Sequence, residues 1–85
     1  MTQTLQPEDA EFFRILGETL RKIRKLKKVT QEEAAKAVGL CRTAIVKMEA
    51  GDRRVSTLEL AKLARVYRCF VTDFFEDLNK RKETP

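Results

Sequence analysis

The chain has 85 residues, 42% of them hydrophobic, and its 18 Lys or Arg against 13 Asp or Glu give a formal net charge of +5. This length supports one small domain, and the excess of positive charge favours a polyanionic partner, with nucleic acid ahead of an anionic membrane surface. The chain has no histidine, and its two cysteines are too few for a disulfide framework or a four-cysteine metal site. We therefore expect no enzyme, no bound metal and no cofactor.

The beginning of the chain carries no recognisable targeting signal. Residues 1–7 have neither the basic start nor the apolar run of a secretory signal, and no stretch of the sequence is apolar over the length that spans a membrane. The sequence therefore predicts a cytoplasmic protein without a membrane partner.

The spacing of apolar residues predicts helices throughout. We interpret residues 1–11 as a lead-in and the start of the first helix, in which Pro7 is the first helical residue and acidic side chains follow it. Spacings of three and four residues then predict one apolar stripe along this helix. The predicted stripe consists of Phe12, Leu16, Leu20 and Ile23.

Two short helices joined by a tight turn follow the first helix. A capping box beginning at Thr30 starts the second helix over about 31–38, and Gly39 ends it because glycine accepts a left-handed backbone without a Cβ clash. The third helix is predicted over about 42–50, and two helices around such a turn are what a helix-turn-helix requires. The inward positions predicted for the third helix are Ile45, Met48 and Glu49.

A second capping box beginning at Ser56 starts the fourth helix. A last short helix is predicted over about 71–78, and the polar tail 79–85 is expected to fray. No segment alternates with the period of a strand, so the sequence predicts an all-α domain of five helices over residues 12–78. The inner stripe predicted for the fourth helix is Leu60, Leu63, Ala64 and Tyr67.

Four segments of the chain resemble the Cro/cI-type (XRE) helix-turn-helix domain: Leu16–Arg24, Val29–Gly51, Ser56–Ala64 and Val71–Phe75. The resemblance implies a compact lambda-repressor-like fold. It also implies a sequence-specific regulator of transcription that binds double-stranded DNA through the major groove. Most such proteins are repressors that act as homodimers on inverted-repeat operators, including phage and plasmid repressors and restriction–modification controllers.

The third helix matches the recognition helix of this family. When its apolar positions face inward, the opposite face presents residues 43, 46 and 47, and residue 42 lies at the exposed N-terminal end that enters the major groove. An arginine there can bridge guanine O6 and N7, and apolar groups can contact thymine methyls. The alternative is a solvated basic helix face. The predicted base contacts are Arg42, Thr43, Val46 and Lys47.

The resemblance also implies four DNA phosphate contacts. These are Gln31 at the start of the second helix, Cys41 at the N-cap of the recognition helix, and Arg53 and Arg54 in the loop that follows it. The two arginines would add sequence-independent, salt-sensitive affinity. The alternatives are that Gln31 is an ordinary exposed glutamine at a helix start, and that the two arginines are ordinary charged residues of a surface loop.

Three positions depart from the family pattern. Cys41 stands where the family usually has Ser or Thr as the helix cap. We expect it to be an inert residue, and the alternative is an oxidant-sensing thiol at the helix N-terminus. Arg68 replaces a turn glycine, and Phe70 replaces a capping Ser or Thr. Cys69 matches a buried aliphatic position and is predicted to lie in the core.

Arg24 and Glu49 match a pair that forms a partly buried salt bridge in the family, between the first helix and the recognition helix. The resemblance therefore implies a structural role for both residues, which is to fix the orientation of the recognition helix.

Residues 70–78 carry more large apolar side chains than one short helix can bury against so small a core. We expect the surplus apolar side chains to form the interface of a homodimer. The alternative is that they only cap the core of the monomer. A second apolar patch is predicted on the first helix, at Phe12, Phe13 and Ile15. The predicted interface residues are Phe70, Val71, Phe74, Phe75 and Leu78.

Two other functions stay open at this point. One is an antitoxin or adaptor-type protein-interaction module, with a protein partner bound through the C-terminal helix. The other is the DNA-binding fragment of a longer regulator. RNA binding is not favoured, because the sequence lacks the motifs and exposed stacking aromatics that it requires.

Overall fold

The computed structural model describes the backbone of residues 7–82 and the side chains of residues 9–79. In this part of the chain, helix α1 spans Pro7–Leu26, α2 Gln31–Val38, α3 Arg42–Ala50 and α4 Thr57–Tyr67, and a 3-10 helix at Val71–Phe75 continues into α5 at Glu76–Lys82. Since no strand occurs within residues 7–82, the predicted all-α fold of five helices is confirmed. None of the helices described combines the length and apolarity needed to cross a membrane.

Both predicted capping boxes are present. At α2, Thr30 Oγ1 accepts a hydrogen bond from the Glu33 backbone N–H at 3.0 Å, and the Glu33 carboxylate accepts one from the Thr30 N–H at 2.8 Å. Ser56 and Glu59 repeat this arrangement at α4. These bonds satisfy backbone donors that have no partner within the helix, so the starts of α2 and α4 are determined locally.

Helix α1 packs against α3 and the C-terminal helices, α2 packs against α3 and α4, and the buried core lies among them. Tyr67 and Phe74 meet edge to face within it, with ring centroids 6.3 Å apart. The inner stripe predicted for α4 is buried in full. Cys69 is half-buried against the core, so it lies at the edge of the core and not inside it.

The apolar face of α1 differs from its predicted stripe. Leu16 and Leu20 are buried as predicted, but Phe12 is 38% exposed and Phe13 is buried in its place. Ile15 is buried as well, because α1 packs against α3 and also against the C-terminal helices, so its apolar face is wider than one stripe. The predicted second surface patch is therefore wrong, since only Phe12 of its three residues is exposed.

Two glycines allow the backbones of α1 and α3 to touch. A Cβ atom on Gly17 would lie 2.4 Å from the carbonyl oxygen of Met48, and a Cβ on Gly51 would lie 2.7 Å from the Cα of Arg14. Gly51 ends α3 in the left-handed region, with a φ of 80°. The end of α3 is thus in main-chain contact with α1, which limits how the two helices can move relative to each other.

The C-terminal helices differ in form from the predicted helix over 71–78. The first five residues are a 3-10 helix, and α5 continues the chain to Lys82, so residues 79–82 of the predicted polar tail are helical. Phe74 is fully buried and Leu78 is 8% exposed, because this segment packs against α1. These two side chains of the predicted dimer interface belong instead to the monomer core.

Candidate nucleic-acid interface

Helices α2 and α3 form the helix-turn-helix. The small buried Ala34 and Ala35 let α2 pack closely on α3, and Gly39 turns the chain with a φ of 73°. Ile45, Met48 and Glu49 face the core as predicted, so the opposite face of α3 is turned outward. The structure exposes all four predicted base-contacting side chains on this outward face: Arg42, Thr43, Val46 and Lys47.

The N-terminus of α3 lacks a side-chain cap. Cys41 is exposed and makes no capping hydrogen bond, which agrees with the weak hydrogen bonding of a thiol. The backbone N–H groups of Ala44 and then of Thr43 nevertheless lower the pKa of the Cys41 thiol, because they stabilise the thiolate.

A buried ion pair anchors α3 to α1. The Arg24 guanidinium donates to the two carboxylate oxygens of Glu49 at 2.5 and 3.2 Å, and it also donates to the carbonyl of Val29. The hydrogen bond to Glu49 raises the pKa of Arg24 against the effect of burial. The structure therefore brings together the two residues of the predicted ion pair.

Gln31 connects this ion pair to the outward face of α3. Its side-chain Nε2 donates to Glu49 Oε1 at 3.1 Å, and its Oε1 accepts from Arg42 Nε at 3.2 Å. From the sequence, Gln31 was predicted as a DNA phosphate contact, with an ordinary helix-start glutamine as the alternative. The two hydrogen bonds join side chains 18 and 11 residues apart in the chain, so only the packing of α2 against α3 brings them together.

Basic side chains of α1 extend the candidate surface beyond the helix-turn-helix. Lys25 and Lys28 line a surface depression of about 510 Å³ together with Gln31 and Arg42, and Arg21 lies in a neighbouring depression beside Val46. These three basic residues were not among the predicted contacts. The available signal for them in the sequence was the run of basic residues at the end of α1.

The two loop arginines are both paired within the chain. Arg53 donates to both carboxylate oxygens of Glu59, at 3.0 and 3.1 Å, and this pairing lowers the pKa of Glu59. Arg54 contacts Asp9 at 3.3 Å and lies over the ring of Phe13. Arg53 still borders the candidate surface, because it shares a depression of about 320 Å³ with Cys41 and Lys47. Arg54 is held instead against the start of α1.

A further exposed apolar surface lies around the start of the C-terminal helices. Phe70 is 78% exposed, Val71 is 36% exposed, and Phe75 is half-buried. Phe70 borders a groove of about 350 Å³ between the C-terminal half of α1 and the C-terminal helices. The exposed Leu26 lines the same groove and was not predicted.

Within the described residues, no group of three His, Cys, Asp or Glu side chains is placed to hold a metal ion.

A helix-turn-helix family model matches residues 20–72, which is more than half of the chain. No curated protein matches the chain at a significant level. The chain is similar to the restriction-modification controller protein C.AhdI from Aeromonas hydrophila, with 31% identity and a TM-score of 0.72 over 76% of this chain and 98% of that one.

Two crystal structures of the clp gene regulator ClgR from Corynebacterium glutamicum are also similar. One is 28% identical, with a TM-score of 0.72 over 82% of this chain and 81% of that one. The other is 26% identical, with a TM-score of 0.74 over 85% of this chain and 94% of that one.

Proposed function

The chain belongs to the XRE type of helix-turn-helix proteins, which are DNA-binding transcriptional regulators and not enzymes, and from this premise we propose that it is a repressor. It binds an inverted-repeat operator as a homodimer and inserts α3 into the major groove of each half-site. The observation that carries this proposal is the outward face of α3, where four side chains suited to base edges are exposed together. Two such helices in a dimer contact half-sites about 34 Å apart.

Base recognition is assigned to the face of α3 and phosphate recognition to its surroundings. Arg42 and Lys47 bind guanine edges, and Thr43 and Val46 contact thymine methyls. Lys25, Lys28 and the start of α2 approach the phosphates on one side of α3, and Arg53 approaches them on the other. The remaining N–H of Gln31 and the backbone at Cys41 add further phosphate contacts.

The proposal includes the control of a restriction–modification system, because the similar protein C.AhdI is named as a restriction-modification controller.

Arg42→Ala is expected to change the sequences selected from random duplex DNA at near-physiological salt. The wild type should enrich an inverted repeat, and the variant should lose preference at one base pair of each half-site by about 5- to 150-fold, the value of 1–3 kcal/mol for a bidentate arginine–guanine contact. Lys47→Ala should act in the same way at another position. Lys62→Ala and Arg65→Ala on the exposed face of α4 remove the same charge and serve as controls. Unchanged selection by both α3 variants would contradict base recognition by this face.

Phe70→Glu is expected to convert the dimer into a folded monomer at micromolar concentration. Phe70 is mostly exposed, so the substitution leaves the core intact, but it places a charge in the proposed apolar interface. Sedimentation equilibrium measures the change, and Leu58→Glu, at an exposed position at the opposite end of α4, is the matched control. A wild-type monomer under these conditions, or a Phe70→Glu dimer, would rule out this interface.

A protein-interaction module is the second candidate function. The groove beside Phe70 and Leu26 favours it, because exposed apolar side chains around a groove are typical of a protein contact. The two experiments separate the candidates. If the wild type enriches no operator and stays monomeric, the protein-interaction module is favoured over the dimeric repressor.

A further inference from the structure

We propose that Glu59 is a specificity-determining residue, which restrains Arg53 so that this arginine contacts a DNA phosphate only when α3 is inserted in the major groove. The inference rests on the proposed function, in which Arg53 approaches the phosphates beside α3. It assigns Glu59 a role beyond the capping box of α4, because the same carboxylate also holds the Arg53 guanidinium.

Three hydrogen bonds hold the Arg53 guanidinium. Its Nη1 donates to Glu59 Oε1 at 3.0 Å and its Nη2 donates to Glu59 Oε2 at 3.1 Å, which is the two-bond geometry that arginine forms with a carboxylate. Nη1 also donates to the main-chain carbonyl of Arg54 at 3.0 Å. The side chains of Arg53 and Glu59 are 30% and 18% exposed, so this pair is better shielded from water than an ordinary surface ion pair.

The acceptors of Arg53 are themselves fixed. Glu59 Oε1 accepts from the Ser56 backbone N–H at 3.0 Å, and the Glu59 N–H donates to Ser56 Oγ at 3.1 Å. The side chain of Arg54 contacts Asp9 of α1 at 3.3 Å. Arg53 therefore cannot extend away from the loop without giving up bonds to two anchored partners.

The edge of the guanidinium that stays free is suited to a phosphate. A guanidinium has five N–H donors, so among the described residues the three bonds leave the Nε–H and one N–H of Nη2 for a ligand. These two groups lie on the same edge and can bind two phosphate oxygens together. Arg53 borders the depression that also contains Thr43 and Lys47, two of the predicted base contacts.

A restrained arginine favours the operator over other DNA. Sequence-independent binding depends on phosphate contacts, and an arginine free to extend would reach a phosphate on any duplex. Because the Arg53 guanidinium is fixed, its free edge meets a phosphate only where the insertion of α3 brings the DNA backbone to it. The contact then adds to the affinity for the operator and little to that for other sequences, which raises the specificity ratio.

The test measures the affinities of the wild type, Glu59→Gln, Arg53→Ala and the double variant for the selected operator and for random duplex of the same length, over a range of salt concentrations. Glutamine is compatible with the capping box, but its amide nitrogen is a donor and breaks the two-bond contact with Arg53. We expect Glu59→Gln to lower the ratio of operator to random-duplex affinity by about two- to fivefold, the range of one exposed ion pair. The salt slope on random duplex should steepen by about 0.9, the value for one more neutralised phosphate.

Three comparisons isolate the role of the pair. In the Arg53→Ala background, Glu59→Gln should leave the ratio unchanged. Glu32→Gln is the matched control, because it removes a carboxylate from the depression beside Gln31 and Arg42 and should change both affinities alike. Arg53→Lys leaves the capping box untouched and keeps the charge without the planar fork, so it should lower the ratio as Glu59→Gln does.

Two results would overturn this role. One is an equal gain of affinity for operator and random duplex from Glu59→Gln, which is the effect of removing a negative charge anywhere near DNA. The other is a lowered ratio that persists in the Arg53→Ala background. If the wild type prefers no operator, the proposed function fails and this inference with it; if it does and Glu59→Gln leaves the ratio unchanged, only this inference fails. Thermal unfolding of each variant confirms that the fold is retained.

Discussion

Gly17→Ala is expected to destabilise the protein by about 3 kcal/mol, the upper part of the usual range for overpacking. The added methyl group would lie 2.4 Å from the Met48 carbonyl oxygen and 2.7 Å from that of Glu49. These are main-chain atoms, so no side chain can rotate away, and α1 must separate from the end of α3. Helix propensity alone predicts the opposite sign, since alanine favours a helix by about 1 kcal/mol over glycine.

Urea unfolding of three variants measures this effect. Gly39→Ala is the size-matched control, because a methyl group there meets nothing within 4 Å and only the left-handed backbone opposes it, at about 1–2 kcal/mol. Gly51→Ala combines both effects, a left-handed backbone and a Cβ 2.7 Å from the Arg14 Cα, and should lose the most. A Gly17→Ala variant as stable as the wild type would show that α1 and α3 adjust freely.

Arg24→Met is expected to lower the free energy of unfolding by about 3–5 kcal/mol, because it leaves the Glu49 carboxylate buried without its partner. Glu49→Met should cost about the same for the reciprocal reason. The double variant Arg24→Met/Glu49→Met should lose less than either single variant, since two apolar side chains of suitable size replace two charges.

A double-mutant cycle by urea unfolding measures this coupling. Lys22→Met is the control, because the Lys22–Asp77 pair has a similar separation of 3.1 Å but Lys22 is 60% exposed, and such surface pairs contribute about 1 kcal/mol or less. Losses that simply add in the double variant would mean that the two residues stabilise the fold independently. Because the Arg24–Glu49 pair joins α3 to α1, either single substitution also disturbs the orientation of α3. A loss of DNA binding in a single variant is therefore explained by this change and does not identify a DNA contact.

The elements of the fold and the outward face of α3 were predictable because their causes are local. A capping box involves residues three apart, and an apolar stripe depends on spacings of three and four, so the starts of α2 and α4 and the exposed face of α3 follow from short segments. The Arg24–Glu49 pair is 25 residues apart in sequence, and only the resemblance to the XRE family suggested it.

The partners of the polar side chains were not predictable in this way. Arg54 pairs with Asp9, 45 residues earlier in the chain, and Arg53 pairs with Glu59 of the neighbouring capping box, so neither is the free loop cation that its sequence suggests. Gln31 also has partners within the chain that its place in the sequence did not indicate. Its position at a helix start indicated a phosphate contact, but its bonds to Glu49 and Arg42 depend on the packing of α2 on α3.

The sequence by itself determined that this protein is a basic, helical domain with two short helices around a tight turn, because periodicity, capping and charge act within a few residues of each other. The resemblance to the XRE family added the four candidate base contacts. Only the tertiary structure decided that Phe74 and Leu78 fill the core while Phe70 and Leu26 remain exposed, and that Gly17 lies against the backbone of α3. The physical reason is that burial and close approach depend on how whole helices pack, and the same apolar pattern is compatible with several packings until the helices are placed.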